Sequence, residues 1–376
     1  MGNAYISFSE KGKLLLQEGQ LREALYYHQK ALAMAEKAIP GGEGVGCIHR
    51  DIGVVYRTIG NLAEAMKHLQ LAKDIIGKKS PHSIKLCSVY NEIGSVYETQ
   101  GSSADAMESY EKALALCEEN RSTSTLDAAI TYNNIGCALE RQGSLMEASR
   151  LFLKALAIKE LLAPDTLPLA ATYSNIGSVC KAQGRLDDAL AYYLKALAIK
   201  ESISPRGLAT ATAYNNIGSI YVLKKEKRNA RTYFDKALEM FADNNIRNLS
   251  VAVVRNNLGS LLEDDKDMDG ALEQYNQALA IIDEEAPDSL FAATIIDNIG
   301  SVLHSQSNYA EALNYYHRAL EIEMREAPDS LTIAATYTYI AAASEAIGKL
   351  DDAVFFYQAA LVIQVNFAIH ELVDIR

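Results

Sequence analysis

One unit of about 41 residues repeats nine times along the chain, and this repeat limits what the sequence can fold into. A glycine marks the same place in eight copies and alanine takes it in the ninth: Gly12, Gly53, Gly94, Gly136, Gly177, Gly218, Gly259, Gly300 and Ala341. Successive markers lie 41 residues apart, except for 42 residues between Gly94 and Gly136. Such a unit predicts a solenoid of stacked repeats, because one short unit cannot bury its own apolar face.

Small residues and a large ring recur at fixed distances after each marker. Alanine stands 12 and 19 places after the marker in all nine copies, as at Ala189 and Ala196. Between these alanines, seven copies carry a ring, namely Tyr110, Phe152, Tyr193, Phe234, Tyr275, Tyr316 and Tyr357. A glycine inside a helix costs roughly 1 kcal/mol relative to alanine. Its repetition therefore indicates close packing of two helix backbones, with the ring filling the space beside them.

Both halves of each unit follow the helical period. In residues 171–184 and 185–201, apolar residues recur every three or four positions. Gly184 is expected to end the first helix, and Asp187 and Asp188 favour the start of the second. Joints such as EAPDSL at 285–290 combine a helix-stopping proline with residues that can cap the next helix. Each unit is therefore predicted to be a hairpin of a helix A followed by a helix B.

These positions are those of the tetratricopeptide repeat, and the chain resembles that family over essentially its whole length. The period exceeds the family's common 34 residues by about seven, or two helical turns. With NNIG, KALAIKE and a P-D-S joint, the unit is similar to the long repeats of kinesin light chain and of spindle-orientation adaptors. The usual proline at the end of helix B is absent, and so is the heptad coiled coil of kinesin light chain.

The resemblance implies a fold and a function. The expected fold is all-α, a right-handed superhelical solenoid of about nine helix-turn-helix repeats in a single array over residues 1–376. The approximate repeats are 5–45, 46–86, 87–128, 129–169, 170–210, 211–251, 252–292, 293–333 and 334–374. The expected function is a non-enzymatic adaptor that holds an extended peptide segment of a partner protein in a concave groove lined by the helices A.

Polar side chains recur around the marker on helix A. Asparagine stands two places before it in repeats four to eight, and we call these residues the amide rungs: Asn134, Asn175, Asn216, Asn257 and Asn298. The preceding place holds Asn133, Asn215 and Asn256, and the place after the marker holds Ser178, Ser219, Ser260 and Ser301. Residues three apart share a helix face, so stacking would align these groups in a ladder.

The ladder has two interpretations. An asparagine side chain both donates and accepts, so it can hold a peptide bond without reading the peptide's side chains. In the families that the chain resembles, the matching asparagines do this. The ligand would then run from Asn134 toward Asn298, with Arg141 and Lys181 as candidate charged contacts. Alternatively, the asparagines bond to the neighbouring repeat and fix its angle. The two roles are compatible.

Composition narrows the class of partner and chemistry. The formal net charge of −12 and pI near 5.2 argue against a nucleic-acid partner. The sequence offers no apolar run of membrane-spanning length and no catalytic, metal-binding or cofactor-binding motif, so we expect no membrane insertion, no enzyme and no cofactor. PGGEGVG at 40–46 fits no phosphate loop and is predicted to be a flexible linker. Five cysteines without a C-x-x-C favour the cytoplasm or another reducing compartment.

The two ends suggest a second possible function. Neither end offers an obvious polar capping helix, and QVNFAIHELV near the C-terminus has an apolar face. We therefore expect one end to be covered by a partner, by a second copy or by further sequence. The alternative function is a structural subunit of a larger assembly that docks through its ends and convex face.

Overall fold

Helices dominate the computed structural model, which describes residues 2–17, 19–244, 246–328 and 330–374. These residues form eighteen α-helices and no β-strand. The helices are α1 (Gly2–Gln17), α2 (Leu21–Ala38), α3 (Glu43–Ile59), α4 (Leu62–Lys79), α5 (Lys85–Thr99), α6 (Ser103–Glu119), α7 (Leu126–Arg141), α8 (Leu145–Leu162), α9 (Leu167–Ala182), α10 (Leu186–Ile203), α11 (Leu208–Leu223), α12 (Lys227–Asp243), α13 (Leu249–Asp264), α14 (Met268–Glu285), α15 (Leu290–Ser305), α16 (Tyr309–Glu326), α17 (Leu331–Ala346) and α18 (Leu350–Asp374). Their order confirms the predicted all-α solenoid of about nine helix-turn-helix repeats.

The chain divides into two compact units, Met1–Ile199 and Lys200–Arg376, and each is described by itself. In the first unit, α1 to α8 pair as four hairpins, and in the second unit α11 to α18 pair as four more. Each helix B within a unit also contacts the next helix A, as α14 contacts α15. Neighbouring helices A touch one another, as α11 touches α13 and α13 touches α15. This arrangement brings the polar positions of successive helices A within reach of each other.

Helix ends follow the local signals in the sequence. Gly184 has a φ of +74° just after the end of α9, a left-handed conformation that glycine adopts without strain. Asp187 and Asp188 lie in the first turn of α10, as predicted. At the joint before α15, Ser289 is the residue that caps the helix, since its side chain accepts from the backbone N–H of Ala292 at 3.2 Å.

The prediction of a flexible linker at 40–46 is wrong for residues 43–46, which are helical. Glu43 to Gly46 form the first turn of α3, with Gly42 as the N-cap. Val45 is 3% exposed, and a Cβ on Gly46 would lie 2.6 Å from the Ile76 side chain. Close packing of this turn against α4 explains why a glycine-rich segment is helical here, because tertiary contacts override weak helix propensity.

The marker glycines have the packing role that their repetition predicted. A Cβ built on Gly136 would lie 2.6 Å from the Phe152 ring, and one on Gly300 would meet the Tyr316 ring at the same kind of contact. Real Cβ atoms do not approach other atoms so closely, so the ring of helix B occupies the place of the missing side chain. In the ninth repeat the marker is Ala341, and the matching ring, Tyr357, is 39% exposed.

No helix in the described part of the chain is both long enough and apolar enough to cross a membrane.

Candidate functional site

Two amide rungs of the second unit bond to the preceding repeat. Asn257 Nδ2 on α13 donates to Asn215 Oδ1 on α11 at 2.9 Å. Asn298 Nδ2 on α15 donates to Asn256 Oδ1 on α13, also at 2.9 Å. Each rung therefore donates to the asparagine that precedes the previous rung. This contact supports the interpretation in which the asparagines fix the angle between repeats.

The first unit contains the same bond with additional partners. Asn175 Nδ2 on α9 donates to Asn133 Oδ1 on α7 at 3.2 Å and lies 3.3 Å from Cys137 Sγ. The hydroxyl of Thr172 also donates to Asn133 Oδ1, at 3.2 Å. Asn133 Oδ1 thus accepts from two residues of the following repeat, so it joins α7 to α9 at two points.

Two amide rungs take no part in these bonds. The side chains of Asn134 and Asn216 are half-buried, and no described residue hydrogen-bonds to either amide. Asn257 and Asn298 each use one N–H, which leaves the second N–H and the carbonyl Oδ1 of each without a partner among the described residues. An amide can donate twice and accept twice, so this set retains free donors and acceptors.

The free amide groups share one side of the helices A. Residues six and two places before the marker point away from helix B: Thr212 and Thr294 are exposed, and the rungs Asn216 and Asn298 are half-buried. We call the side of α7, α9, α11, α13 and α15 that carries the amide rungs the amide face. The two units contribute separate stretches of it, with two rungs in the first unit and three in the second.

The predicted serines form a second set of contacts. Ser178 Oγ on α9 donates to Glu140 Oε1 on α7 at 2.5 Å, and Ser301 Oγ on α15 donates to Glu263 Oε1 on α13 at 2.8 Å. Ser219 Oγ bonds within its own helix to the Asn215 backbone oxygen at 3.0 Å, and Ser260 is exposed. One serine after the marker in each unit, Ser178 in the first and Ser301 in the second, therefore binds a carboxylate of the preceding repeat.

The two predicted charged contacts, Arg141 and Lys181, differ in whether they form an ion pair. Arg141 is 54% exposed at its side chain and forms an ion pair with Glu98 of the preceding repeat. Lys181 is exposed at the end of α9. Arg141 is thus already paired, whereas Lys181 forms no ion pair with a described residue.

The ladder ends at a buried carboxyl pair in the second unit. Thr336 Oγ1 lies 2.9 Å from Asp297 Oδ2 and 2.8 Å from Glu323 Oε2. One hydroxyl has a single proton to donate, so it can serve one of the two carboxyls, and the other carboxyl would bond to the hydroxyl oxygen only when protonated. Burial, followed by the nearby Glu323 charge, raises the pKa of Asp297 to about 7, and burial also raises the pKa of Glu323.

Asp297 lies at a place where the following repeat has no amide rung to donate to it. Asp297 stands at the place of Asn215 and Asn256, whose Oδ1 atoms accept from the next rung. In the ninth repeat Tyr339 replaces that rung, and its ring stacks on Tyr316 with centroids 5.5 Å apart. Asp297 Oδ1 is consequently buried without a partner among the described residues.

The structure has a cavity beside the ladder that was not predicted from the sequence. It encloses about 230 Å³ between α11 and α13, and Asn215 and Asn216 line one side of it. Its floor is apolar, since Phe241 and Val254 are each 1% exposed. Ser250 could have indicated this cavity, because the next repeat has the larger Phe291 at the matching place.

The last helix exposes large apolar side chains. Phe355 is 64% exposed, Leu361 57% and Val362 59% on α18. The matching place of Leu361 in the previous repeat is Leu320, which is 8% exposed. Within the predicted apolar segment QVNFAIHELV, Val365 is 46% and Phe367 40% exposed, and the side chains of 369–376 lie outside those described.

Comparison with known proteins assigns the family. The profile of the tetratricopeptide repeat matches residues 4–76, 85–160, 168–243, 250–324 and 291–364. These matches span most of the sequence, and the chain belongs to the tetratricopeptide repeat family. Arrays of this kind are protein–protein interaction scaffolds and are generally non-enzymatic.

Three solved structures are similar to the chain, and BtubC and RapI support the fold. BtubC (BKLC) from P. vanneervenii is 25% identical, with a TM-score of 0.50 over 60% of this chain and 91% of its own. The apo form of RapI is 13% identical, with a TM-score of 0.67 over 97% of this chain and 98% of its own. PilF of Pseudomonas aeruginosa is 22% identical, with a TM-score of 0.45 over 65% of this chain and 93% of its own. No curated protein matches the chain significantly in sequence.

Proposed function

We propose that the chain is a non-enzymatic adaptor whose amide face binds an extended peptide segment of a partner protein. The observation that carries the proposal is the set of amide groups left without a partner. Among the described residues, the amides of Asn134 and Asn216 have no partner, and Asn257 and Asn298 each keep one N–H and the Oδ1 unpaired. A free N–H beside a free C=O matches the C=O and N–H of a peptide bond.

Spacing between the rungs supports an extended ligand. The second unit presents three rungs on three successive helices A, so one peptide lying across these helices can meet all three. Backbone hydrogen bonds supply affinity without selecting side chains, as in other modes of extended-peptide recognition. The bonds from Asn257 to Asn215 and from Asn298 to Asn256 hold these rungs in place before a ligand arrives, which lowers the entropic cost of binding.

The experiment selects peptides from a random library displayed on phage, with the full chain as bait. The test variant is Asn134→Ala with Asn216→Ala, because these two rungs have no structural bond to lose. The control is Asn276→Ala, an exposed asparagine on the helix B α14. We expect wild type and control to enrich the same peptides and the double variant to lose them. Equal enrichment by the double variant contradicts the proposal.

A structural subunit that docks through its ends and convex face is the second candidate. The exposed Phe355, Leu361 and Val362 on α18 favour it, because a monomer seldom exposes adjoining large apolar side chains without a partner. Phe355→Ser with Val362→Ser would then abolish assembly, whereas the Asn134/Asn216 variant would leave it unchanged. Sedimentation velocity of both variants, alone and with a candidate assembly, separates the two functions.

A further inference from the structure

The cavity between α11 and α13 opens on the amide face next to a free rung. Thr212 and Asn216 of α11 form one side of its rim, and Ser250 and Val253 of α13 form the other. Asn216 has no hydrogen bond to a described residue. A peptide backbone held by Asn216 would therefore pass directly over this opening.

One of the residues that line the cavity, Ser250, is small. Nine places before the marker, α13 has Ser250, whereas α15 has Phe291, which packs against the core of the second unit. In the first unit the same place on α9 is Pro168, whose backbone oxygen accepts from the buried Lys159 at 3.2 Å. Gly44 and Ala209 are also small at this place, so the contrast is with the larger Phe291 of the next repeat.

The lining determines which side chains fit. All seven described residues that line the cavity are uncharged, and the floor is formed by Phe241 and Val254. A charged side chain would lose its hydration there without gaining an opposite charge, which is strongly unfavourable. An apolar cavity of roughly 150 Å³ already holds a benzene-sized group, so about 230 Å³ has room for a leucine-sized or methionine-sized side chain.

We infer that this cavity is a specificity pocket that takes one uncharged aliphatic side chain of the bound peptide. The inference rests on the proposed peptide-binding function and adds a sequence preference to it. The amide rungs hold the backbone, and the cavity at Ser250 selects the residue whose side chain points between α11 and α13.

Three variants test the pocket in the same phage selection. Ser250→Phe places in α13 the residue that α15 has naturally, and fills the space. Ser250→Ala is the matched control, because it removes the hydroxyl and keeps the space. Val253→Lys puts a cation at the rim of the cavity. It should replace the preference for an aliphatic residue with a preference for Asp or Glu. An unfolded variant would not show this new preference.

Wild type and Ser250→Ala should enrich peptides with an aliphatic residue at one fixed position. Ser250→Phe should lower the affinity of such peptides about tenfold, since burial of one aliphatic side chain is worth at least that factor. If Asn216→Ala abolishes selection while Ser250→Phe enriches the same aliphatic motif, the pocket is refuted and the peptide-binding function stands. If wild type enriches no peptide, both are refuted. A charged residue at the fixed position in the wild-type selection also overturns the pocket.

Discussion

Asn257 Nδ2 donates to Asn215 Oδ1 at 2.9 Å, so a residue on the amide face also joins two repeats. Asn215 is 9% exposed, which makes its Oδ1 a costly group to leave unpaired. The two interpretations of the asparagine ladder thus apply to different atoms of the same side chains. In Asn257 and Asn298 one N–H bonds to the preceding repeat, and the other N–H and the Oδ1 have no partner among the described residues.

Loss of an inter-repeat bond should lower stability where loss of a free rung does not. Asn257→Ala leaves Asn215 Oδ1 without its donor and should reduce the free energy of unfolding by about 1 kcal/mol. Asn216→Ala removes an amide that bonds to no described residue, and we expect no measurable change. Urea unfolding followed by circular dichroism compares the two. Equal stability of both variants would contradict the structural role of the bond.

The glycine at the marker should not tolerate a side chain. Gly136→Ala pushes a Cβ into the Phe152 ring, and overpacking of this kind typically costs about 1–3 kcal/mol. Gly77 is a matched control, because it lies inside α4 and a Cβ there meets nothing within 4 Å. Gly77→Ala should stabilise the chain by about 0.5–1 kcal/mol through helix propensity. Thermal unfolding measures both, and a stabilising Gly136→Ala would show that the ring contact is unimportant.

The carboxyl at the end of the ladder should make stability depend on pH. The pKa of Asp297 is raised from 3.8 to about 7, mainly by burial, so the folded chain holds this proton more tightly than the unfolded chain. Unfolding therefore releases a proton between about pH 4 and pH 7, and this group's contribution to stability falls as pH rises through that window.

Asp297→Asn should remove this part of the pH dependence and raise stability at pH 7. Asparagine stands at the same place in Asn215 and Asn256, so the change suits the fold. Urea midpoints across pH 4.5 to 7.5 give the slope for wild type and variant. A wild-type slope retained in Asp297→Asn would show that another group causes it. Glu323→Gln should flatten the slope in part, since the Glu323 charge contributes to the shift.

The fold could be predicted from the sequence because each marker glycine, alanine and ring recurs in register. The close contact of Gly136 with Phe152 is the packing that this register indicated. Such positions can be predicted from a repeated sequence, because every repeat contacts its neighbour in the same way. The helical start at Glu43 could not be predicted, since it depends on the packing of Val45 and Gly46 against α4 rather than on local propensity.

The sequence predicts which helices carry the asparagines, but not how their side chains bond. The sequence places Asn257 and Asn298 on one helix face, yet it does not show which amide atom meets the next repeat. A variant with Asn175, Asn216 and Asn257 all changed to alanine would mix two effects, because Asn175 and Asn257 carry inter-repeat bonds. The distances in the structure identify Asn134 and Asn216 as the rungs whose substitution removes no inter-repeat hydrogen bond.

The most direct test is the dissociation constant of one library-selected peptide, measured by isothermal titration calorimetry. Wild type, Asn216→Ala and the control Asn276→Ala are titrated with the same peptide, after unfolding curves establish equal stability. Two lost hydrogen bonds to a peptide bond should weaken binding about tenfold in Asn216→Ala. The control should bind as wild type does. Equal dissociation constants for all three proteins would contradict the claim that the amide face binds the ligand.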